Sequence, residues 1–267
     1  MSGAVPSRFR ARLRGDEIVT GSFVNLGSPL VTEIMGIAGF DWLVLDLEHG
    51  AGDEHVLVSQ LQALARTGNA ALVRVEAIDP ARIQHALDLG AAGVMVPRVR
   101  SAEEARVAVD CCRYSARRGV ARYNRSWHWG LSPRTLADAD AEVVCVVQIE
   151  TVEALEEVDE IAAVDGVDVL FVGPSDLSHA LGMQCAPDDP GLLARVAAVA
   201  RAARDHAKCA GVLVGTLEQA RAYRELGFTF IGCASDGGLL ATHATAVAQD
   251  LRGLERSQAP SVEGAPS

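Results

Sequence analysis

The chain has 267 residues, with 24 Lys plus Arg against 35 Asp plus Glu, a formal net charge of −11, 49% apolar types and 4% aromatics. That mixture is globular and too apolar for a disordered chain. The acidity argues against nucleic acid as the main partner, because phosphate binding needs a basic face. A small anionic substrate stays open, since the local field outweighs the net charge. No stretch offers the roughly 18 unbroken apolar residues of a membrane span.

The first 17 residues carry Arg8, Arg10, Arg12 and Arg14 with no apolar run behind them. They read as a basic segment, not as a secretory signal. Cys111, Cys112, Cys145, Cys185, Cys209 and Cys233 lack CxxC spacing, so buried free thiols in a reducing cytoplasm are expected, with neither a zinc site nor a disulfide frame.

From residue 18 to 256, short apolar runs alternate with longer helical patterns. Strands are expected at Ile18–Leu26, Asp41–Leu47, Leu72–Glu76, Gly93–Pro97, Val143–Glu150, Val169–Pro174, Gly211–Val214 and Thr229–Ala234. Runs such as Val143-Val144-Cys145-Val146-Val147 belong to strands covered on both faces. Helices are expected at Pro29–Ala38, Glu54–Arg66, Pro80–Leu89, Ala102–Tyr114, Val152–Val164, Leu192–Ala207, Leu217–Leu226 and Leu239–Leu254. Ser101 and Thr151 sit where caps belong, and Gly39, Gly90 and Gly227 follow helix ends that favour a left-handed residue. Eight such units predict an α/β fold, a (β/α)8 TIM barrel. An open doubly wound sheet is disfavoured without GxGxxG after the first strand. The connection Ser115–Glu142 breaks the repeat and reads as a lid, an oligomer contact or a disordered loop. The Pro/Ser/Gly-rich tail 257–267 is expected to be disordered.

In a barrel, chemistry belongs to the C-terminal ends of the strands, and the unexpected polar residues cluster there. Asp46 and Glu48 share one face, with His49 opening the loop, and Arg74 and Glu76 share another. Gln148 and Glu150 follow at period two. Glu150 and Asp176 end adjacent strands, and two carboxylates without Cys or His suit a hard divalent ion with open positions. Taken singly, each is more readily a helix cap, because acidic residues favour helix starts. Gly173-Pro174-Ser175-Asp176 opens a short helix that could receive a carboxylate, or it is an ordinary turn. Arg74 needs a ligand or a structural ion pair with Asp46, Glu48 or Glu76. His49 is a candidate general base that Asp88 could orient. Asn25, Ser235 and Asp236 also reach the rim, and Gly237-Gly238 makes a weak phosphate cradle.

Together these residues resemble the HpcH/HpaI aldolase family, in its 4-hydroxy-2-oxoheptanedioate aldolase-like branch of pyruvate-dependent class II aldolases. The resemblance rests on Gly39-Phe40-Asp41-Trp42, Asp46-Leu47-Glu48-His49-Gly50, Val73-Arg74-Val75, Leu87-Asp88-Leu89-Gly90-Ala91, Val96-Pro97-Arg98-Val99, Gln148-Ile149-Glu150-Thr151 and Gly173-Pro174-Ser175-Asp176-Leu177-Ser178. It implies cleavage of a 4-hydroxy-2-oxo acid, of the 4-hydroxy-2-oxoheptanedioate or 2-keto-3-deoxy sugar acid type, to pyruvate and an aldehyde. Glu150 and Asp176 would hold the metal (Mg²⁺, Mn²⁺ or Co²⁺). Arg74 would face the enolate oxygen, and Gln148 would support the keto acid. The amides of Ser175 and Asp176, with Gly173 and Pro174 shaping the turn, would take the carboxylate. His49, oriented by Asp88, would handle the C4 hydroxyl proton through water. Asp46 and Glu48 would support the site from behind.

The resemblance also implies a homo-oligomer, a hexamer, with the last helix exchanged between subunits. The family's Arg-Tyr-Pro-Pro-x-Gly-x-Arg-Gly departs here to Arg113-Tyr114-Ser115-Ala116-Arg117-Arg118-Gly119-Val120-Ala121-Arg122, which leaves the aldehyde half open. Lys208, the single lysine, lies away from the rim, against a Schiff-base mechanism. Two other readings remain: an oxaloacetate decarboxylase or macrophomate synthase-like enzyme on the same site, and a non-catalytic keto-acid-binding oligomer.

Overall fold

The structure, a computed structural model, describes residues 5–184 and 187–256. Cys185 and the tail 257–267 lie outside the described residues. Eight parallel strands pair in sequence order and close on themselves. They are β1 (Val19–Val24), β2 (Trp42–Asp46), β3 (Ala70–Arg74), β4 (Gly93–Val96), β5 (Val144–Ile149), β6 (Val169–Val172), β7 (Cys209–Val214) and β8 (Phe230–Ser235). The main helices between them are α2 (Pro29–Ile37), α3 (Glu54–Leu64), α4 (Pro80–Asp88), α5 (Ala102–Cys112), α7 (Val152–Glu156), α8 (Val158–Ala162), α10 (Pro190–Asp205) and α11 (Leu217–Glu225). Each returns the chain to the foot of the barrel, and α12 (Asp236–Arg256) follows β8. The fold is the expected (β/α)8 barrel.

Local chemistry explains the boundaries. Ser101 and Thr151 accept from the amides of Glu104 and Ala154, capping α5 and α7. Gly39, Gly90 and Gly227 take φ of +96°, +99° and +101° after α2, α4 and α11. The expected helix Val152–Val164 is two short helices, because Glu157 (φ −97°, ψ 18°) leaves helical geometry between them. β3 begins two residues before its expected start and ends at Arg74, which moves Glu76 off the strand into the loop.

Two apolar layers hold the barrel. Alternate strand residues, among them Trp42, Val44, Leu72, Met95, Val146, Phe171 and Phe230, fill the inside. Trp42 stacks on Phe230 with centroids 4.1 Å apart. The indole needs glycine across from it: a Cβ on Gly21 would stand 2.0 Å from its ring. The opposite strand faces join the helices in a second, larger core.

The basic N-terminal segment forms α1 (Val5–Arg12). Its apolar residues escaped the sequence reading. Phe9 and Leu13 are buried in the inner core, with Phe9 edge-on to Phe230 at 6.3 Å. Arg10 pairs with Asp168 at 2.9 Å and Arg12 with Asp41 at 2.6 Å, so α1 plugs the foot.

The connection Ser115–Glu142 is ordered in part by a 3-10 turn (Arg125–Gly130) and by α6 (Leu136–Glu142). Trp127 is fully buried with Tyr114 and Ala139, and its indole N–H donates to the Tyr114 hydroxyl at 2.8 Å. The segment runs from the end of α5 to the start of β5, both at the foot, so it is no lid over its own chain's catalytic rim. No helix among the described residues is long and apolar enough to cross a membrane.

Candidate active site

The inward positions of the strands change from apolar to polar at their C-terminal ends, by the same period of two. On β2, Trp42 and Val44 give way to Asp46, and on β3 Leu72 gives way to Arg74. On β5, Val144 and Val146 give way to Gln148 and then Glu150. The register sets Asp46 directly beside Arg74. A polar floor therefore rests on an apolar plug, where charges interact strongly.

Arg74 ends its strand instead of occupying its middle. Its Nε and Nη2 donate to the two Asp46 oxygens at 2.8 and 2.7 Å, and Nη1 lies 3.3 Å from Glu48. The structural ion pair thus forms with Asp46 and Glu48. Glu76 instead lies 3.8 Å from Arg82. Arg74 still faces a cavity of about 660 Å³ with Phe23, Asn25, Pro174 and Ser175. Asn25 Nδ2 donates to Asp46 at 3.1 Å and so also braces it. Burial pushes the Glu48 carboxyl up, although Arg74, His49 and Arg98 pull it down.

Neither Glu150 nor Asp176 is a helix N-cap, because Thr151 caps α7 and Gly173 begins α9 (Pro174–Ala180). Glu150 accepts from the Arg98 amide at 2.7 Å on one oxygen and from Gln148 Nε2 at 2.9 Å on the other. Burial pushes its carboxyl up to about 7, the Arg98 amide opposing and the nearby Asp176 adding to the rise. A point one bond out from Gly173 lies 2.8 Å from Glu150 Oε2 and 3.7 Å from Asp176 Oδ2. The carboxylates converge around an empty glycine face. Beside them Gln148 Oε1 is buried without a hydrogen-bond partner. Among the described residues no group of three or more His, Cys, Asp or Glu is arranged for a metal. Two carboxylates at this spacing could hold a hard ion that keeps several positions for water or substrate.

Arg98 is the site residue that sequence reasoning missed. It takes a left-handed φ of 51°, which turns its amide onto Glu150, while its side chain reaches the Glu76 carbonyl at 3.0 Å. The Val96-Pro97-Arg98 turn was visible as a motif, but a backbone donor leaves no residue-type signal.

His49 reaches the rim, two-thirds exposed, with Nε2 3.8 Å from Glu48. Asp88 does not join it. Asp88 is the last residue of α4, at the foot, where it accepts from Arg118 Nη2 at 2.7 Å. A helix that returns from the rim carries its last residue to the opposite end, so the expected orientation of His49 by Asp88 is not made within one chain. Asp236 is structural: it accepts from the amides of Asn25 and Leu26 at 2.8 and 3.1 Å and fastens β8 to β1. The Gly237 and Gly238 amides are spent on Asp236 and Ser235, which removes the phosphate cradle.

Residues 20–243 match the family described as HpcH/HpaI aldolase/citrate lyase. The chain belongs to that family. It is 37% identical over 241 residues to 5-keto-4-deoxy-D-glucarate aldolase of Salmonella paratyphi C, covering 89% of this chain and 94% of that protein. It superposes with TM-score 0.88 on an HpcH/HpaI aldolase/citrate lyase family protein from Burkholderia cenocepacia, at 34% identity over 92% of this chain and 99% of that one. An HpcH/HpaI aldolase from Desulfitobacterium hafniense matches at TM-score 0.84 and 27% identity, over 96% and 98% of the two chains. This member of the HpcH/HpaI family is accordingly an enzyme, a lyase of the class II aldolase kind.

Proposed function

We propose that this aldolase cleaves a 4-hydroxy-2-oxo acid to pyruvate and an aldehyde, and joins them in reverse, with a divalent ion held by Glu150 and Asp176. The observation that carries the reading is the convergence of those two carboxylates across Gly173 beside Arg74. The similarity to a 5-keto-4-deoxy-D-glucarate aldolase supports a sugar-acid substrate of the 2-keto-3-deoxy type. A bound ion would supply positive charge for the enolate that cleavage leaves behind.

The chain's own residues do the rest. Arg74, its guanidinium locked by Asp46 and Glu48, is preorganised toward the keto oxygen and adds no reorganisation as charge develops. Gln148 positions Glu150 and offers its buried Oε1 to the bound acid. The Gly173–Asp176 turn lets the substrate carboxylate approach the backbone at the start of α9. His49 moves the C4 hydroxyl proton through water from its exposed place on the rim. We further propose that copies of this chain assemble through α12, in a hexamer with that helix exchanged. Leu239, Leu240, Val247, Leu251 and Leu254 on α12 are exposed, which supports the assembly.

The test is C–C bond formation from pyruvate and a panel of aldehydes, with Mn²⁺ or Mg²⁺ and with EDTA. Metal-dependent aldol product supports the reading. Decarboxylation of oxaloacetate with no aldol product under any metal sinks it in favour of the decarboxylase. Pyruvate binding that ignores metal and survives Glu150→Ala, without turnover, favours the non-catalytic oligomer.

A further inference from the structure

The backbone of Arg98 does not account for its side chain. Any residue except proline supplies the amide that steadies Glu150, and glycine would take the φ of 51° without strain. An arginine held there carries a conformational cost. Its guanidinium therefore needs an explanation of its own.

The side chain stands on the catalytic rim, in the turn that follows β4. Its Nη2 lies 3.6 Å from Glu48 Oε1. The other Glu48 oxygen lies 3.3 Å from Arg74 Nη1 and 3.8 Å from His49 Nε2. A single carboxylate thus separates Arg98 from the arginine assigned to the keto oxygen and from the histidine assigned to the C4 hydroxyl.

Arg98 also has donors and charge to spare. Both of its contacts use Nη2, which donates to the Glu76 carbonyl at 3.0 Å besides meeting Glu48. Its Nε and Nη1 make no hydrogen bond or ion pair among the described residues. The side chain is 61% exposed, so these donors face solvent and are accessible to a ligand. The neighbouring arginines are committed: Arg74 is locked on Asp46 at 2.7 Å, and Arg100 is held by Glu104 at 2.6 Å. Glu48 divides its charge among Arg74, His49 and Arg98 and neutralises none of them alone.

We infer that Arg98 selects the aldehyde half of the substrate, by binding a carboxylate at its far end. The inference rests on the aldolase reading above. Carbons beyond C4 belong to the aldehyde, and they leave the pyruvate site where the C4 hydroxyl meets His49. Arg98 shares Glu48 with that histidine and so stands beside their path. A carboxylate there gains a charge-assisted hydrogen bond that a neutral end cannot make.

Aldol addition of pyruvate to 4-oxobutanoate and to its neutral methyl ester, by the full chain with Mn²⁺, tests this. The wild-type kcat/KM should favour 4-oxobutanoate by about tenfold or more, chiefly through the aldehyde KM, on the scale of one hydrogen bond to a charged group. That preference should shrink as salt is raised, because the cation is exposed. Arg98→Met keeps an unbranched side chain on the same backbone and should bring acid and ester close to parity. Arg98→Lys should restore part of the preference, and Arg98→Glu should reverse it. Both aldehydes meet the same pyruvate site, so the ratio cancels any loss that a variant inflicts through Glu150. If Arg98→Met fails to fold, the wild-type ratio, its salt dependence and Arg98→Lys still decide. A preference that survives Arg98→Met, or a wild type that treats acid and ester alike, overturns the role of Arg98 and leaves the aldolase reading standing. Absence of aldol product from every aldehyde, charged or neutral, sinks the aldolase reading and this inference with it.

Discussion

At Gly173 a methyl group would stand 2.8 Å from Glu150 Oε2, inside the space the two carboxylates share. Gly173→Ala should therefore lower divalent-metal affinity by about 10–100-fold, the cost of displacing a ligand's support. It should leave the fold intact, which metal titration by calorimetry beside a thermal melt would show. Loss of the fold with unchanged affinity would contradict the site. Glu150 carries a second prediction. Its carboxyl rises to about 7 in the folded protein from an ordinary 4.5, so a cation must displace a proton below that pH. Metal affinity should fall about tenfold per pH unit below 7 and level off above, with proton release that varies with buffer ionisation heat. In the ion-free protein the sign reverses: the folded state holds the proton that the unfolded chain has lost. That contribution to stability is full below 4.5 and fades as pH rises toward 7. Most of this placement was legible in the sequence, because acids and Arg74 at the ends of apolar strands are costly unless used. The Arg98 amide was not legible, since any residue type supplies one. The Asp88–Arg118 pair was not legible either, because partners 30 positions apart meet only after the loop folds.

Among the elements, α1 shows what a charge count conceals. Four arginines made its stretch read only as a basic segment, while Phe9 and Leu13, spaced one helical turn apart, are the residues that close the foot. Its attachment depends on pH through Asp41. Burial alone would raise that carboxyl, but hydrogen bonds from Arg12 and Thr20 outweigh it and hold the group below the usual range. The stabilisation is therefore present above the ordinary Asp value and is lost as pH falls through the lowered one. Hydrogen exchange across residues 5–15 should be slow near neutral pH and accelerate in acid ahead of the strands. Asp41→Asn should bring that acceleration to neutral pH. Strand positions were readable to within about two residues because a continuous apolar run has few registers. β3 sits at that limit, since Ala70 and Ala71 carry little of the apolar signal that marks Leu72 and Val73.

For the whole molecule, α12 is the element that the described chain uses least. From Leu239 to Leu254 it is exposed throughout, apolar side chains included, an arrangement monomers seldom tolerate. Leu251→Glu should split the assembly into smaller species by light scattering at unchanged circular dichroism, and a wild-type protein that is monomeric at micromolar concentration would end that proposal. The closed barrel itself was plain from eight repeating units. What covers α12 was not, because the sequence of one copy does not say where a second one sits.

The single lysine has a use beyond ruling out a Schiff base. Lys208 directly precedes β7 at the foot, half-buried, with burial lowering its amine below the usual range despite the neighbouring Asp168 and Asp165. As the sole side-chain amine it offers an amine-reactive support a single lysine anchor, placed at the foot. Every molecule tethered through it would present the carboxylate rim outward, toward the flowing substrate.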